Sequence, residues 1–413
     1  MVSPIPAPVP VSRPDLPQTA DVVVIGGGVN GASTAFQLAK RGLSVVLLEQ
    51  GQLGYGASGK SGALIRCHYA NVWEAQLTLE SLRMFRDWDE HIGHGDPVFK
   101  APGFLQVVAP EDEFRLRTNV DALRSIGVET QLLSADEARD VEPLLRTDDL
   151  AWIAFEPNSG YADPNATVYG FAAAARAHGA VIAIHTAVSR ILTEGDRITG
   201  VETDNGTIST GTVVVAGGAW ANLLLQPIGV DFGMTPRRIQ VAVFRWPEEI
   251  DQRRPHRVII DRISHSWLRP EGSHSTVIGF EAGTSEHDAG RYDETPAGDY
   301  IDKARSALAS RLPAFAHATM RGGWAGMVMQ SADDHPIMGR VDGVEGLVVF
   351  AGDSGSSFKT SPATGICLAE LIVDGESRLV DIHAFRPSRF AEGQPWRDEH
   401  SYSATGDVLT ISR

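Results

Sequence analysis

Cysteine is nearly missing. The 413 residues hold only Cys67 and Cys367, too few for a disulfide framework and in keeping with a reducing, cytoplasmic setting. Positive charge is short as well: 36 Lys and Arg stand against 52 Asp and Glu, and the formal net charge of −16 sets the surface against nucleic acid and anionic membranes. An anionic substrate would need a positive patch raised locally against that field. No segment reaches the ~18 consecutive apolar residues of a membrane span. The proline-rich opening, residues 1–19, lacks a basic start followed by an apolar core, so it is expected to be a lead-in rather than a secretion signal. Repeats are absent, and Cys67 beside His68 resembles neither a metal site nor a nucleophile pair, so no metal is expected.

Glycine, by contrast, is plentiful. The stretch Val22-Val23-Val24-Ile25-Gly26-Gly27-Gly28-Val29-Asn30-Gly31 is an apolar run stopping at Gly-x-Gly-x-x-Gly, and it continues as an amphipathic segment to Gly42. That pattern predicts strand, tight turn and helix. In such a cradle Gly26 permits the turn, Gly28 lets the backbone approach a pyrophosphate, and Gly31 lets the helix lie close on the strand. A second apolar run, Ser44 to Leu48, ends in Glu49, about 20 residues past the motif, where a ribose hydroxyl would need an acid. The following loop, Gly51 to Arg66, is rich in Gly and Ser and suits a long ligand lying against backbone amides.

Further along, apolar spacing predicts helices over 72–92, Glu111–Ile126, Ala166–His178 and Asp299–Leu312, and a bent strand or strand pair over Val98–Val108. Ser134 reads as an N-cap with acids in the first turn. The strand Thr212–Ala216 runs into Gly217-Gly218, and Leu347–Ala351 runs into Gly352 and a helix ending near Val373. Three separated pieces ending in glycine-rich strand ends imply a discontinuous nucleotide-binding domain over 20–97, 157–238 and 324–390. A substrate domain then covers 98–156 and 239–323, and 391–413 is a tail.

The likeness to known proteins rests on named stretches: the Val22–Gly28 opening, Glu49, Ile65-Arg66-Cys67-His68-Tyr69, Gly160 to Pro164, Val213 to Trp220, the Asp333–Gly339 turn and Ala351 to Lys359. Together they resemble the D-amino-acid oxidase and sarcosine oxidase family of FAD-dependent oxidoreductases, nearest its sarcosine oxidase branch, over about Ala20 to Phe390. The implied fold class is α/β, a Rossmann-like FAD-binding domain interleaved with an α+β substrate domain on a mainly antiparallel sheet. The resemblance runs the cofactor along Gly26, Gly28, Gly31, Glu49, Gln50, Ser58, Ser61, Gly62, Val188, Gly217, Gly218, Trp220, Gly326, Gly352, Gly355, Ser356, Phe358 and Lys359. Relatives that tether their flavin use a cysteine shortly before the Asp-x-His turn or a histidine in the glycine loop. Gly326 and Lys60-Ser61 stand there, so FAD is expected to be non-covalent, with Cys67 and His68 as the remaining candidates for a tether.

The resemblance also implies oxidation of the C–N bond of a small amino acid or N-alkyl amino acid by hydride transfer to flavin, giving an imine that hydrolyses. Arg66 and Lys359 would grip the substrate carboxylate, one by a planar fork and the other as a point charge. His68 and Tyr69 are candidates for the pocket wall, and Glu281, where relatives carry histidine, is either a holder of the amine or of a second cation, or a surface acid. Val277 occupies the position of the lysine that speeds the oxygen reaction in relatives, so the electron acceptor is oxygen or another carrier. Two alternatives remain open: a flavin dehydrogenase of a 2-hydroxy acid, and a flavin-bearing subunit of a larger complex.

Overall fold

The computed structural model describes residues 16–250, 254–280, 283–285 and 288–402. Strand β1 (Val22–Ile25) is buried at all four positions because it is paired on both sides and covered on both faces. Its neighbours are β2 (Val45–Leu48) and the strand Val213–Val215, both parallel to it, with Val23 opposite Val46 and Val213. A central parallel strand of this kind has no wet face, which is why its sequence is an unbroken apolar run. The six-stranded sheet continues to Val181–Ala183 beyond β2 and to Leu347–Ala351 and Ile337–Arg340 on the other side, the last being antiparallel. The chain thus leaves β1 toward one edge and returns on the other, and a crevice opens at the carboxyl ends of β1 and Val213–Val215.

Helix α1 (Val29–Lys40) is buried at ten of its twelve positions, all but Asn30 and Lys40, between that sheet and two further helices, Pro164–Ala177 and Ser361–Asp374. Small residues make this possible: a Cβ on Gly365 would lie 2.2 Å from Ser33 Oγ, so the helices cross there nearly backbone to backbone.

The second large sheet has nine strands, all antiparallel except where Val258–Asp261 lies parallel to Phe104–Val107. Two long strands, Thr235–Arg245 and Thr319–Gln330, pair along their whole length and run unbroken through positions 238 and 323. Gly322, at φ +151, sits where their register shifts, so this glycine cluster is a bulged strand rather than a loop. Elsewhere the structure refines the expected elements. The 72–92 segment breaks at Asp87 into Val72–Arg86 and a single turn, Trp88–His91, and the 111–126 segment begins as a tight turn before its helix at Glu113. Ser134 caps its helix reciprocally with Glu137. The strand in 98–108 is confined to Phe104–Val107, while Lys100 bridges to Tyr161.

The C-terminal residues up to Tyr402 have no regular structure yet pack firmly. Trp396 stacks on His335 with ring centroids 3.8 Å apart, Asp398 accepts from Asn71, and the Tyr402 hydroxyl lies 2.7 Å from His68 Nε2. Among the described residues no helix is long and apolar enough to cross a membrane, and no group of three or more His, Cys, Asp or Glu could hold a metal.

Candidate active site

Two cavities of about 1100 Å³ and 830 Å³ share Val29, Asn30, Ala57, Ser58, Val328 and Asp353 on their walls and make one groove from the crevice to the second sheet. At its head the motif glycines do three separate jobs. Gly26 has φ +112, and a Cβ there would sit 2.3 Å from Ala216 O. On Gly31 it would sit 2.0 Å from Gly26 O, so α1 rests directly on the turn. Gly28 is different: among the described residues only Ser58 Oγ, at 3.0 Å, comes near its Cβ position, and the residue lies on the groove wall. A side chain there would project into the ligand's space rather than into the protein.

Gly28 caps α1 without a side-chain bond, and Ser58 Oγ takes the Val29 amide at 2.9 Å. Glu49 accepts from the amides of Gly27 and Gly51, each at 2.7 Å, which fixes its carboxylate on the groove wall with lone pairs to spare for a ribose. Burial raises its pKa, and those two backbone bonds pull the other way. An open helix end, a fixed acid and a glycine turned to the groove fit a dinucleotide such as FAD.

Of the expected cofactor residues, Gln50, Val188, Gly217, Gly218, Trp220 and Gly352 line the first cavity. Ser61, Gly62, Gly355, Ser356, Phe358 and Lys359 line the second, and Ser58 lines both. Gly31 and Gly326 line neither. The first is consumed by packing, and the second lies under Lys60, whose Cδ would be 3.2 Å from a Cβ on Gly326.

The second cavity holds the two basic residues. Arg66 is 1% exposed and Lys359 5% exposed, and Tyr69 lies between them, its ring 4.7 Å from the Arg66 guanidinium carbon and 5.0 Å from Lys359 Nζ. Arg66 Nη1 donates to His68 O, while Nη2 is buried with no hydrogen-bond partner among the described residues. Lys359 Nζ donates to Ser356 O at 2.7 Å. Burial lowers the pKa of both groups, and Arg66's charge adds to the depression of Lys359 well below its ordinary value. Two like charges share a cleft whose other wall is Ile239, Val241, Ile260, Trp267 and Phe280, and an entering anion would relieve both.

His68, expected on the pocket wall, is not on the lining. Its ring faces the C-terminal segment, stacked on Tyr402, and burial together with the Arg66 charge pushes its pKa to about 3, so it is neutral. Glu281 lies outside the described residues. Val277 is fully buried in a cluster with Trp267 and Phe104, off the cleft. Three further residues bear on the site: Tyr69, expected beside Arg66 on the pocket wall, and Lys60 and Trp267, for which no site role was expected. Lys60 reaches the second cavity and pairs with Tyr292 Oη at 2.6 Å and Glu294 at 3.1 Å; Trp267 is on the wall; and Tyr69 separates the cations. Alternation in Ser266–Glu271, which turns Trp267 and Arg269 to one face, was the available signal for Trp267.

Residues 21–371 match the family described as FAD dependent oxidoreductase. The chain is similar to the sarcosine oxidase subunit beta of Arthrobacter sp, 27% identical over 401 residues, covering 95% of this chain and 96% of that protein. It is similar to the glycine oxidase of Geobacillus kaustophilus at 25% identity over 376 residues, covering 89% of this chain and 97% of that one. In three dimensions the L-proline dehydrogenase from P. horikoshii superposes with a TM-score of 0.85 at 28% identity, over 92% of this chain and 100% of that one.

Proposed function

This chain belongs to the family of FAD-dependent oxidoreductases, and on that premise we propose that it oxidises the C–N bond of a small amino acid or N-alkyl amino acid whose carboxylate is held by Arg66 and Lys359. The observation that carries the reading is the buried Arg66 Nη2, without a hydrogen-bond partner among the described residues, beside Lys359 in a cleft with Ile239, Val241, Ile260, Trp267 and Phe280 on its wall. Bound FAD supplies the two-electron acceptor. Arg66 offers the fork and Lys359 the mobile charge, and Tyr69 keeps the two apart. A substrate ammonium would bring a further positive charge beside Arg66 and Lys359, so the amine enters neutral, with its lone pair ready as electrons leave the neighbouring C–H bond. Ile239, Val241, Ile260, Trp267 and Phe280 exclude water during that step. The imine is then hydrolysed to a carbonyl compound and an amine.

A 2-hydroxy acid would need a base for its hydroxyl proton, and no histidine is among the described residues on the cleft wall, which favours the amine. The cofactor domain is assigned to 20–97, 157–238 and 324–390 and the substrate domain to 98–156 and 239–323. A cytoplasmic setting is in keeping with two free, buried cysteines. The likeness to a sarcosine oxidase β subunit supports a second reading, in which the chain is the flavin-bearing part of a larger assembly. Anaerobic mixing of the purified holoprotein with amino, N-methyl amino and 2-hydroxy acids tests the proposal. Bleaching of the yellow colour by amino acids is expected, and bleaching by hydroxy acids alone would overturn it. An isolated chain that bleaches but is not reoxidised by oxygen or dyes would favour the subunit reading.

A further inference from the structure

Trp267 is held in place by two glycines that its ring covers. It lies directly across the ladder from Gly279, and a Cβ on Gly279 would come within 2.4 Å of indole Cζ2. Gly62, in the glycine loop, presents the same bare backbone to the next ring atoms, its Cβ position lying 2.4 Å from Cη2. Two residues on and on the same face, Arg269 Nε donates to Gly62 O at 2.6 Å, which ties this strand to the loop beside the ring. The indole is therefore pressed against two backbones, one from each half of the molecule, with no space to turn. It is 8% exposed and stands on the cleft wall. The buried cluster it belongs to contains Phe104, Val241, Val258, Ile260 and Val277.

Resting on the reading of Arg66 and Lys359 as the carboxylate clamp, we propose that Trp267 sets the length of the substrate group that the cleft accepts. The clamp fixes one end of the ligand, and the indole forms a rigid apolar stop at the other. The substrates are then amino or N-alkyl amino acids with a short aliphatic group. Because the ring is immobilised by packing, the limit is a sharp one.

The two sides of the ring give opposite tests. Removing the indole opens the cleft, whereas a methyl group at Gly279 pushes the ring into it. The holoprotein is titrated with unreactive straight-chain carboxylates from acetate to octanoate, and binding is followed by the shift in flavin absorbance. In the unaltered protein affinity rises about fourfold per methylene until the chain meets the ring, then falls. In Trp267→Ala the turning point moves to longer chains, in Trp267→Phe it moves less far, and in Gly279→Ala it moves to shorter ones. The same turning point in all four proteins would overturn the role of Trp267 while leaving the clamp intact. An unaltered holoprotein that binds no carboxylate would overturn the clamp, and this proposal with it. If Trp267→Ala fails to hold flavin, Trp267→Phe and Gly279→Ala decide.

Discussion

Replacing Arg66 with Met leaves an apolar chain of similar length but removes the fork. In the native cleft Nη1 is already engaged with His68 O, so the guanidinium edge containing Nη2 is what a carboxylate would meet. One charged hydrogen bond contributes about 1.5–3 kcal/mol, and leaving a carboxylate buried with only Lys359 adds to the loss, so ~2–4 kcal/mol is expected. At about 1.4 kcal/mol per factor of ten, kcat/KM falls by roughly 30- to 1000-fold. The sharper assay compares an acid substrate with its carboxamide, with single-turnover bleaching of the flavin as the readout. Native protein strongly prefers the acid, and Arg66→Met loses most of that preference, because the amide never used the charge. Equal loss for acid and amide would mean that Arg66 supports the fold rather than the carboxylate, and unchanged discrimination would refute the clamp.

Lys359 binds an anion only when protonated. Burial and Arg66 place its pKa well below the usual 10.5, so carboxylate affinity should fall as pH rises through that lowered value, and Lys359→Met should erase this limb from the pH dependence of Kd. His68 is neutral down to about pH 3, so His68→Gln should leave the pH profile of kcat/KM unchanged between about pH 5 and 8; a lost limb there would contradict its placement. Gly28→Val should give folded but colourless protein, since the branched side chain occupies the groove; circular dichroism and the flavin spectrum check both halves of that statement. Acid precipitation should release free FAD into the supernatant, because Gly326 offers no side chain and Cys67 is a buried thiol whose pKa is raised by that burial; colour in the pellet would show a covalent tether.

The cradle was legible because its physics is local. A strand buried on both faces must be apolar throughout, and a turn at φ +112 followed by a helix resting on it leaves room for glycine alone at Gly26 and Gly31. The pair Arg66 and Lys359 was legible through resemblance, since nothing in the spacing of residues 293 positions apart brings them onto one cavity wall. What could not be read depends on partners distant in the chain. The stretch Thr319–Gln330 has glycine at three of its twelve positions and is a strand only because Thr235–Arg245 lies beside it. Trp267 is fixed by Gly62 and Gly279, and His68 turns from the cleft because Tyr402 waits for it. Lys60 reaches the cavity and pairs with Tyr292 and Glu294, which lie in another loop 232 residues and more along the chain.

The placement of β1 bears on how the protein comes to exist during synthesis. Its β2 neighbour follows after helix α1, with Val46 opposite Val23, yet Val213–Val215 on its other side emerges far later, with Val213 opposite the same Val23. The contact between His68 and Tyr402 spans 334 residues. Until those partners leave the ribosome, an unbroken apolar strand carries an unpaired edge, the kind of surface that holdases bind and that nucleates aggregation. The walls of the groove draw on residues from Ile25 to Asp353, so although the β1–α1–β2 unit is local, the groove is complete only once most of the chain has emerged. Flavin can therefore enter only near the end of synthesis, and a chain starved of it would spend longest in its most vulnerable form.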